Sequence, residues 1–335
     1  AAGEELPVIS EPAAMFHDLA SKVPKLENFL KKMSHRPLRV ATMCSGTESP
    51  LLALDKIADA TEKLFGSRLN VEHVFSCEIE PFKQAYIERN FSPPILFRDI
   101  RELKEKQAYT AYGALVDVPG NVDILVAGTS CVDYSNLNNE QKGLNEQGES
   151  GQTFRGMKAW IMRCKPPVVI LENVCGAPWQ QIVDDFASFG YTADFLRLDT
   201  KRYYIPHTRT RVYLLAVLGD DDEGVLAQWK EVVKQLERPS SSTLEAFLFD
   251  TDDPRVNKGR QDLALPGEKN TRAETDWGRC QSRHIRARVE EKLGQQRPFT
   301  HWDGGCQLPD YAWNDWGKAQ TDRVLDLMDI DYLRL

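Results

Sequence analysis

Nothing in the sequence matches GxGxxG, the glycine-rich turn that cradles a pyrophosphate, and this argues against an NAD- or FAD-dependent enzyme. The seven cysteines (44, 77, 131, 164, 175, 280 and 306) are odd in number and no two lie within four residues of each other. That spacing argues against a CxxC zinc or redox site and against a disulfide framework. No apolar run reaches membrane-spanning length, and the first twelve residues lack a basic segment followed by an apolar one. The expectation is a soluble, intracellular chain with no membrane contact. Positive charge is also in deficit: the formal net charge is −8, so any polyanion must be met by a local basic face.

What is present is ordinary globular material. With 335 residues, 41% of them hydrophobic and 27% charged, the chain is long enough for one large α/β domain with a smaller appendage. It centres on the stretch 123–138, DILVAGTSCVDYSNLN. Ile124 to Ala127 form an uninterrupted apolar run, as in a parallel strand covered on both faces. Cys131 then lies in a polar loop just past that strand's carboxyl end, the edge where α/β sheets collect ligands and catalytic groups. A reactive thiol and a small buried hydrophobe are both open readings of it.

Four further strand ends fall into the same pattern. Leu38 to Met43 runs into the turn CSGTESP, with Ser49 and Pro50 as the expected N-cap and first residue of a helix. Val71 to Cys77 ends in Glu78, where Rossmann-like folds hold ribose hydroxyls. Ile95 to Asp99 ends in an aspartate, and Pro167 to Leu171 is followed by Glu172. Tyr191 to Leu198 and Val212 to Val217 close the series, and YYIPHTRTR between them puts Arg209 and Arg211 on one face of an extended segment. Helices are expected over 11–33, interrupted at Pro24, and over 153–164 and 225–236. The Gly-, Asn- and Gln-rich segment 138–153 reads as an exposed loop, either a lid or plain surface. Beyond residue 236 periodicity is weak. Lys269 to Arg297 carries a net +4, the only clearly basic stretch, and reads either as a face for a polyanion or as a solvated helix around 282–293. Trp302, Tyr311, Trp313 and Trp316 read as a small core.

Taken in order, VATMCSGTESPLLAL, SCEIE, RDI, GTSC, GQTF, LENV and HTRTRVYLLAV resemble the motifs of the cytosine-C5 DNA methyltransferase family over roughly 38–217. The resemblance implies a Rossmann-like, S-adenosylmethionine-dependent methyltransferase fold with a smaller, irregular C-terminal region. It divides the chain into an N-terminal helical segment (1–37), a catalytic core (38–218) and a partial target-recognition region (219–335). By position it implies Ser45, Gly46, Thr47 and Glu48 at the methionyl part of the cofactor, Glu78 at its ribose, Ile79, Asp99 and Ile100 at its adenine, and Gly128 beside it. Cys131 would be the nucleophile, Glu172 its carboxylate partner, and Arg209 and Arg211 would flank the target base. No metal is implied. The chemistry suits these residue types: cytosine C5 becomes nucleophilic only once a thiolate adds at C6, with an acid at N3 and a cation near O2 stabilising the charge.

Several positions depart from the family pattern: Ser130 and Val132 flank the cysteine where proline precedes it in most members, His207 replaces a common glutamine, and Glu48 replaces a second glycine. The family's closing Gly-Asn motif is not found, so a chain that is truncated or spans missing segments is expected. Ser130 and the tail from LEAFL onward resemble the large multidomain maintenance methyltransferases of fungi that carry a helicase-like ATPase. The implied partners are DNA, further domains of a larger chain or chromatin factors, and the implied location is nuclear. Two rivals stay open: cytosine-C5 methylation of transfer RNA, and a catalytically silent cofactor-binding scaffold.

Overall fold

Near-continuous apolar runs build a seven-stranded sheet, seen in a computed structural model that describes residues 7–134, 142–264, 285, 286, 288–294, 296 and 322–334. The strands are β1 (Leu38–Met43), β2 (Val71–Cys77), β3 (Leu96–Phe97), β6 (Ile124–Ala127), β7 (Val168–Asn173), β8 (Tyr191–Asp199) and β9 (Thr210–Leu218). Their order is β3-β2-β1-β6-β7-β9-β8. All neighbours are parallel until β9, which runs antiparallel to both β7 and β8. A two-stranded antiparallel hairpin, β4 (Gln107–Tyr109) with β5 (Leu115–Asp117), lies outside this sheet.

The period-two geometry of a strand explains why both faces must be apolar. Val40 packs with Leu30, Ala58 and Leu69 on one side, whereas Ala41 and Met43 join Phe75, Leu125, Trp160 and Leu171 in the larger core. The first cluster is covered by α2 (Leu26–Met33) and α3 (Ser49–Phe65). The second is covered by α5 (Glu149–Cys164) and α6 (Trp179–Ser188), which contribute Phe154, Met157, Trp160, Ile161, Ile182 and Phe186. Because β1 leads through α3 to β2 on one side and pairs with β6 on the other, the strand order reverses at β1. A crevice opens at such a switch point, outside the carboxyl ends of the strands.

The expected break before residue 26 is found: α1 (Pro12–Lys22) and α2 are separated at Pro24, with Lys25 left-handed at φ 63°. Three local expectations change. Ser49 does not cap α3; the helix starts at Ser49, and Glu48 stands at the N-cap with φ 54° and no capping hydrogen bond. β3 has only two residues, because the chain turns at Asp99 into a short 3-10 segment, Ile100–Glu102. Helix α5 begins four residues before Thr153, since Ser150 and Gly151 are buried despite lacking apolar side chains. Helix α6 and the hairpin carry no expectation at all. The remaining helices are α4 (Pro81–Phe91), α7 (Val225–Gln235), α8 (Pro254–Ala264) and α9 (Asp322–Arg334). Among the described residues no helix is long and apolar enough to cross a membrane.

The chain forms two units, Ala1–Phe247 and Leu248–Leu335. In the second, Arg334 pairs with Glu291 and Asp331. Most of the basic stretch Lys269 to Arg297, and the cluster of Trp302, Tyr311, Trp313 and Trp316, lie outside the described residues. Arg288 is an exception within that stretch: it is 4% exposed and its Nη1 donates to the Gln296 carbonyl at 2.8 Å, so it does not face solvent as a phosphate contact must.

Candidate functional site

The turn after β1 is held in place by the end of β2. Cys44, Gly46 and Glu48 all have positive φ, which makes the turn tight enough for the Gly46 amide to reach the next strand. That amide donates to Glu78 Oε2 at 2.8 Å, and Glu78 Oε1 accepts from the amides of Ile79 and Glu80 at 3.0 and 3.1 Å. Glu78 is 5% exposed, so three backbone amides balance the cost of burying its carboxylate.

A cleft of about 620 Å³ opens at this sheet edge, within the size range of small-molecule sites. It brings together nine of the residues expected from the sequence: Glu78, Ile79, Asp99, Ile100, Gly128, Cys131, Glu172, Arg209 and Arg211. Ser45, Gly46 and Thr47 form the adjoining turn and are not among its lining residues. Glu48 lies elsewhere. Its side chain is fully buried, and Oε1 accepts from the hydroxyls of Thr42, at 2.8 Å, and Ser76. Those two strand hydroxyls supply Oε1 with donors on the inner side of the turn, whereas Oε2 is buried with no hydrogen-bond partner among the described residues.

Asp99 closes one wall of the cleft. Burial raises its pKa, but a bidentate pair with the Arg101 guanidinium and a bond from the Arg101 amide outweigh this and leave it below the ordinary carboxylate value. Arg101 also bonds Gln152 of α5 at 3.1 Å. Ile79 is 57% exposed, an apolar side chain at the wall of the cleft and open to a flat apolar ligand.

On the opposite wall Glu172 ends β7 beside β9. Its carboxyl is pushed above the ordinary value by burial, while the charges of Arg211 and Arg209 pull it back. Arg211 Nε stands 3.2 Å from Glu172 Oε1. The result is an acid inclined to carry a proton, set against cations able to stabilise its anion once the proton has gone. Cys131 is exposed in the loop opposite. Cys44 also lines the cleft, but burial, with a smaller contribution from Glu78, pushes its thiol up to about 12, so it is not a thiolate near neutrality. Cys175 is exposed but is not among the residues lining the cleft.

Two groups of residues hold the Cys131 loop that sequence reading did not single out. Asn173 Nδ2 donates to the Thr129 carbonyl at 2.9 Å and to the Ser130 carbonyl at 3.3 Å, and its Oδ1 accepts from the Val174 amide. The first turn of α5 supplies Glu149, Ser150 and Thr153, which bond Ser130 and Asp133. The hints in the sequence were LENV, which places an amide directly after the acid, and GQTF, which contains Thr153.

Residues 39–303 match the family model for C-5 cytosine-specific DNA methylase. Over 338 aligned positions covering 99% of the chain, it is 56% identical to the DNA (cytosine-5-)-methyltransferase DMT5 of Cryptococcus neoformans var. grubii, of which it spans 14%. It is 32% identical to the protein of the same name from Verticillium dahliae, with 88% of the chain aligned to 15% of that protein. The Haemophilus aegyptius type II methyltransferase M.HaeII is 29% identical across 49% of the chain and 50% of its own length. The chain thus spans about a seventh of the length of its two fungal relatives.

Proposed function

The chain belongs to the C-5 cytosine-specific DNA methylase family, and from that premise we propose that it is the catalytic domain of an enzyme that methylates cytosine at C5 in DNA. The observation that carries the proposal is one cleft holding an exposed cysteine, a glutamate whose pKa burial raises and two arginines, beside a carboxylate-walled compartment.

S-adenosylmethionine fits that compartment. The Glu78 carboxylate keeps acceptor capacity beyond its three amide bonds, enough for a ribose hydroxyl, and Ile79 with Ile100 offers an apolar wall for an adenine. Bound there, the cofactor would supply an electrophilic methyl group. Asp99, fixed by Arg101, would accept from the adenine amino group.

The target cytosine must leave the duplex to reach the loop ends. Cys131, as thiolate, forms a bond to C6 while Glu172 delivers its proton to N3, so the ring becomes an enamine without carrying net charge. Arg211 holds the Glu172 carboxylate as it ionises, and Arg209 faces the base carbonyl O2. C5 then takes the methyl group, the C5 proton passes to water, the C6–sulfur bond breaks to return the thiolate, and the N3 proton returns to the Glu172 carboxylate, which leaves a neutral methylated base. The N-terminal helices (1–37) support the core (38–218), and the region 219–335 contributes to target recognition. A nuclear setting and further domains or chromatin partners belong to the same proposal, supported by the much greater length of the fungal relatives and the DNA named in their descriptions.

The test is methyl transfer from labelled cofactor to unmethylated duplex DNA, hemimethylated duplex DNA and transfer RNA. Incorporation into DNA that disappears in Cys131→Ala is expected. Transfer to RNA alone would replace the substrate, and cofactor binding without transfer to any acceptor would favour a silent scaffold.

A further inference from the structure

Helix α5 starts without a side chain to cap it. Its N-cap is Gly148, so the first-turn amides must find an acceptor elsewhere. Asp133, two residues beyond Cys131, supplies it: Oδ2 accepts from the Ser150 amide at 2.7 Å, and the Asp133 amide donates back to Ser150 Oγ at 3.0 Å. This is the reciprocal exchange of a capping box, made between a loop and a helix 17 positions apart. Asp133 is 5% exposed and Ser150 is fully buried, so water cannot substitute for either bond. Gly148 completes the fit, because a Cβ there would collide with the Asp133 carboxylate.

The other flank of Cys131 is tied to the same turn. The Ser130 amide donates to Thr153 Oγ1 at 3.2 Å and its hydroxyl donates to Glu149 at 2.7 Å. A proline at 130 has no N–H and forms neither bond. Rigidity that a ring would impose before the cysteine is here supplied by hydrogen bonds on both sides of it.

We propose that Asp133 and Ser150, with Gly148 making room, form a clasp that positions the Cys131 loop for attack on the base. This rests on Cys131 being the nucleophile. Asp133 and Ser150 are positioning residues: they act by fixing where the sulfur lies relative to the bound base. Displacing a reacting atom by about 1 Å costs on the order of a hundredfold in rate.

The experiment uses the whole protein and measures two quantities in parallel: the rate of covalent adduct formation with duplex DNA carrying 5-fluorocytosine, and affinity for S-adenosylhomocysteine. Asp133→Ala is expected to slow adduct formation by roughly a hundredfold while changing product affinity by no more than about twofold. Gly148→Ala should act in the same direction, and Asp133→Asn, whose amide oxygen still accepts from Ser150, should stay within about fivefold of the parent. If Asp133→Ala does not fold, Ser150→Ala, which keeps the amide bond and removes only the hydroxyl acceptor, should still slow the adduct by about tenfold.

An adduct rate at the parent level in the alanine variants, with Cys131→Ala inactive, would overturn the clasp and leave the nucleophile in place. Equal losses of adduct rate and product affinity would reduce it to a folding contact and overturn it as well. An adduct persisting in Cys131→Ala would overturn the nucleophile assignment, and the clasp with it.

Discussion

Replacing Glu78 with alanine removes the side chain that ties the Gly46 amide in the turn after β1 to the end of β2. Three amides lose their acceptor: Gly46 at 2.8 Å, Ile79 at 3.0 Å and Glu80 at 3.1 Å. They are not equivalent. Ile79 and Glu80 are exposed at the start of α4, so water takes their amides over, whereas the Gly46 amide is half-buried in a turn with φ 58°. One charge-assisted bond is therefore left uncompensated, at a cost of about 1.5–3 kcal/mol. The acceptor proposed for the ribose goes with it, so affinity for S-adenosylhomocysteine should fall roughly tenfold to a hundredfold. Glu78→Gln keeps one carbonyl oxygen and should lie between parent and alanine. Calorimetry with the product, alongside duplex binding measured without cofactor, separates a local effect from a global one. Unchanged product affinity in Glu78→Ala, in a folded protein, would refute the placement of the cofactor.

Three further outcomes are expected. Glu172 has its folded pKa raised above the ordinary 4.5, so protonation stabilises the fold; that stability is complete below the unfolded value and is lost as pH rises through the folded one. Thermal melts of Glu172→Gln should therefore gain on the parent as pH rises above 4.5, and a gain independent of pH would show that burial does not hold the proton. In the second unit, Arg288→Ala should lower stability and leave the salt dependence of duplex binding untouched, because the side chain is buried. Arg286 is exposed, and its removal should flatten the slope of log K against log salt by about 0.9 if it meets a phosphate.

The sheet was legible because β1, β2, β6 and β7 carry apolar runs and β9 alternates buried with more open positions, and the boundaries follow the runs closely; in β8 only Tyr191 is buried. The hairpin was not, since only Ala108 is buried in Gln107–Tyr109 and a single apolar position carries no period. Helix α6 left a usable signal: Trp179, Ile182 and Phe186 are spaced at helical intervals after Pro178. Strand-end position was enough to place Glu78, Asp99, Cys131 and Glu172 around one cleft, because topology alone brings those ends together. Glu48 shows the limit of that reasoning. A turn residue beside a site need not face it, and here the hydroxyls of Thr42 and Ser76 draw the carboxylate inward. Asp133 and Ser150 were equally out of reach, since nothing local to either residue marks a bond across 17 positions.

The role of Cys131 can be tested most directly by incubating the protein with cofactor and a duplex containing 5-fluorocytosine, then mapping the cross-linked peptide by mass spectrometry. Fluorine at C5 blocks the elimination that would free the enzyme, so the DNA should be found on the peptide containing Cys131, and Cys131→Ala should yield no adduct. A cross-link to Cys175 or Cys44, or full adduct formation in Cys131→Ala, would contradict the mechanism at its first step.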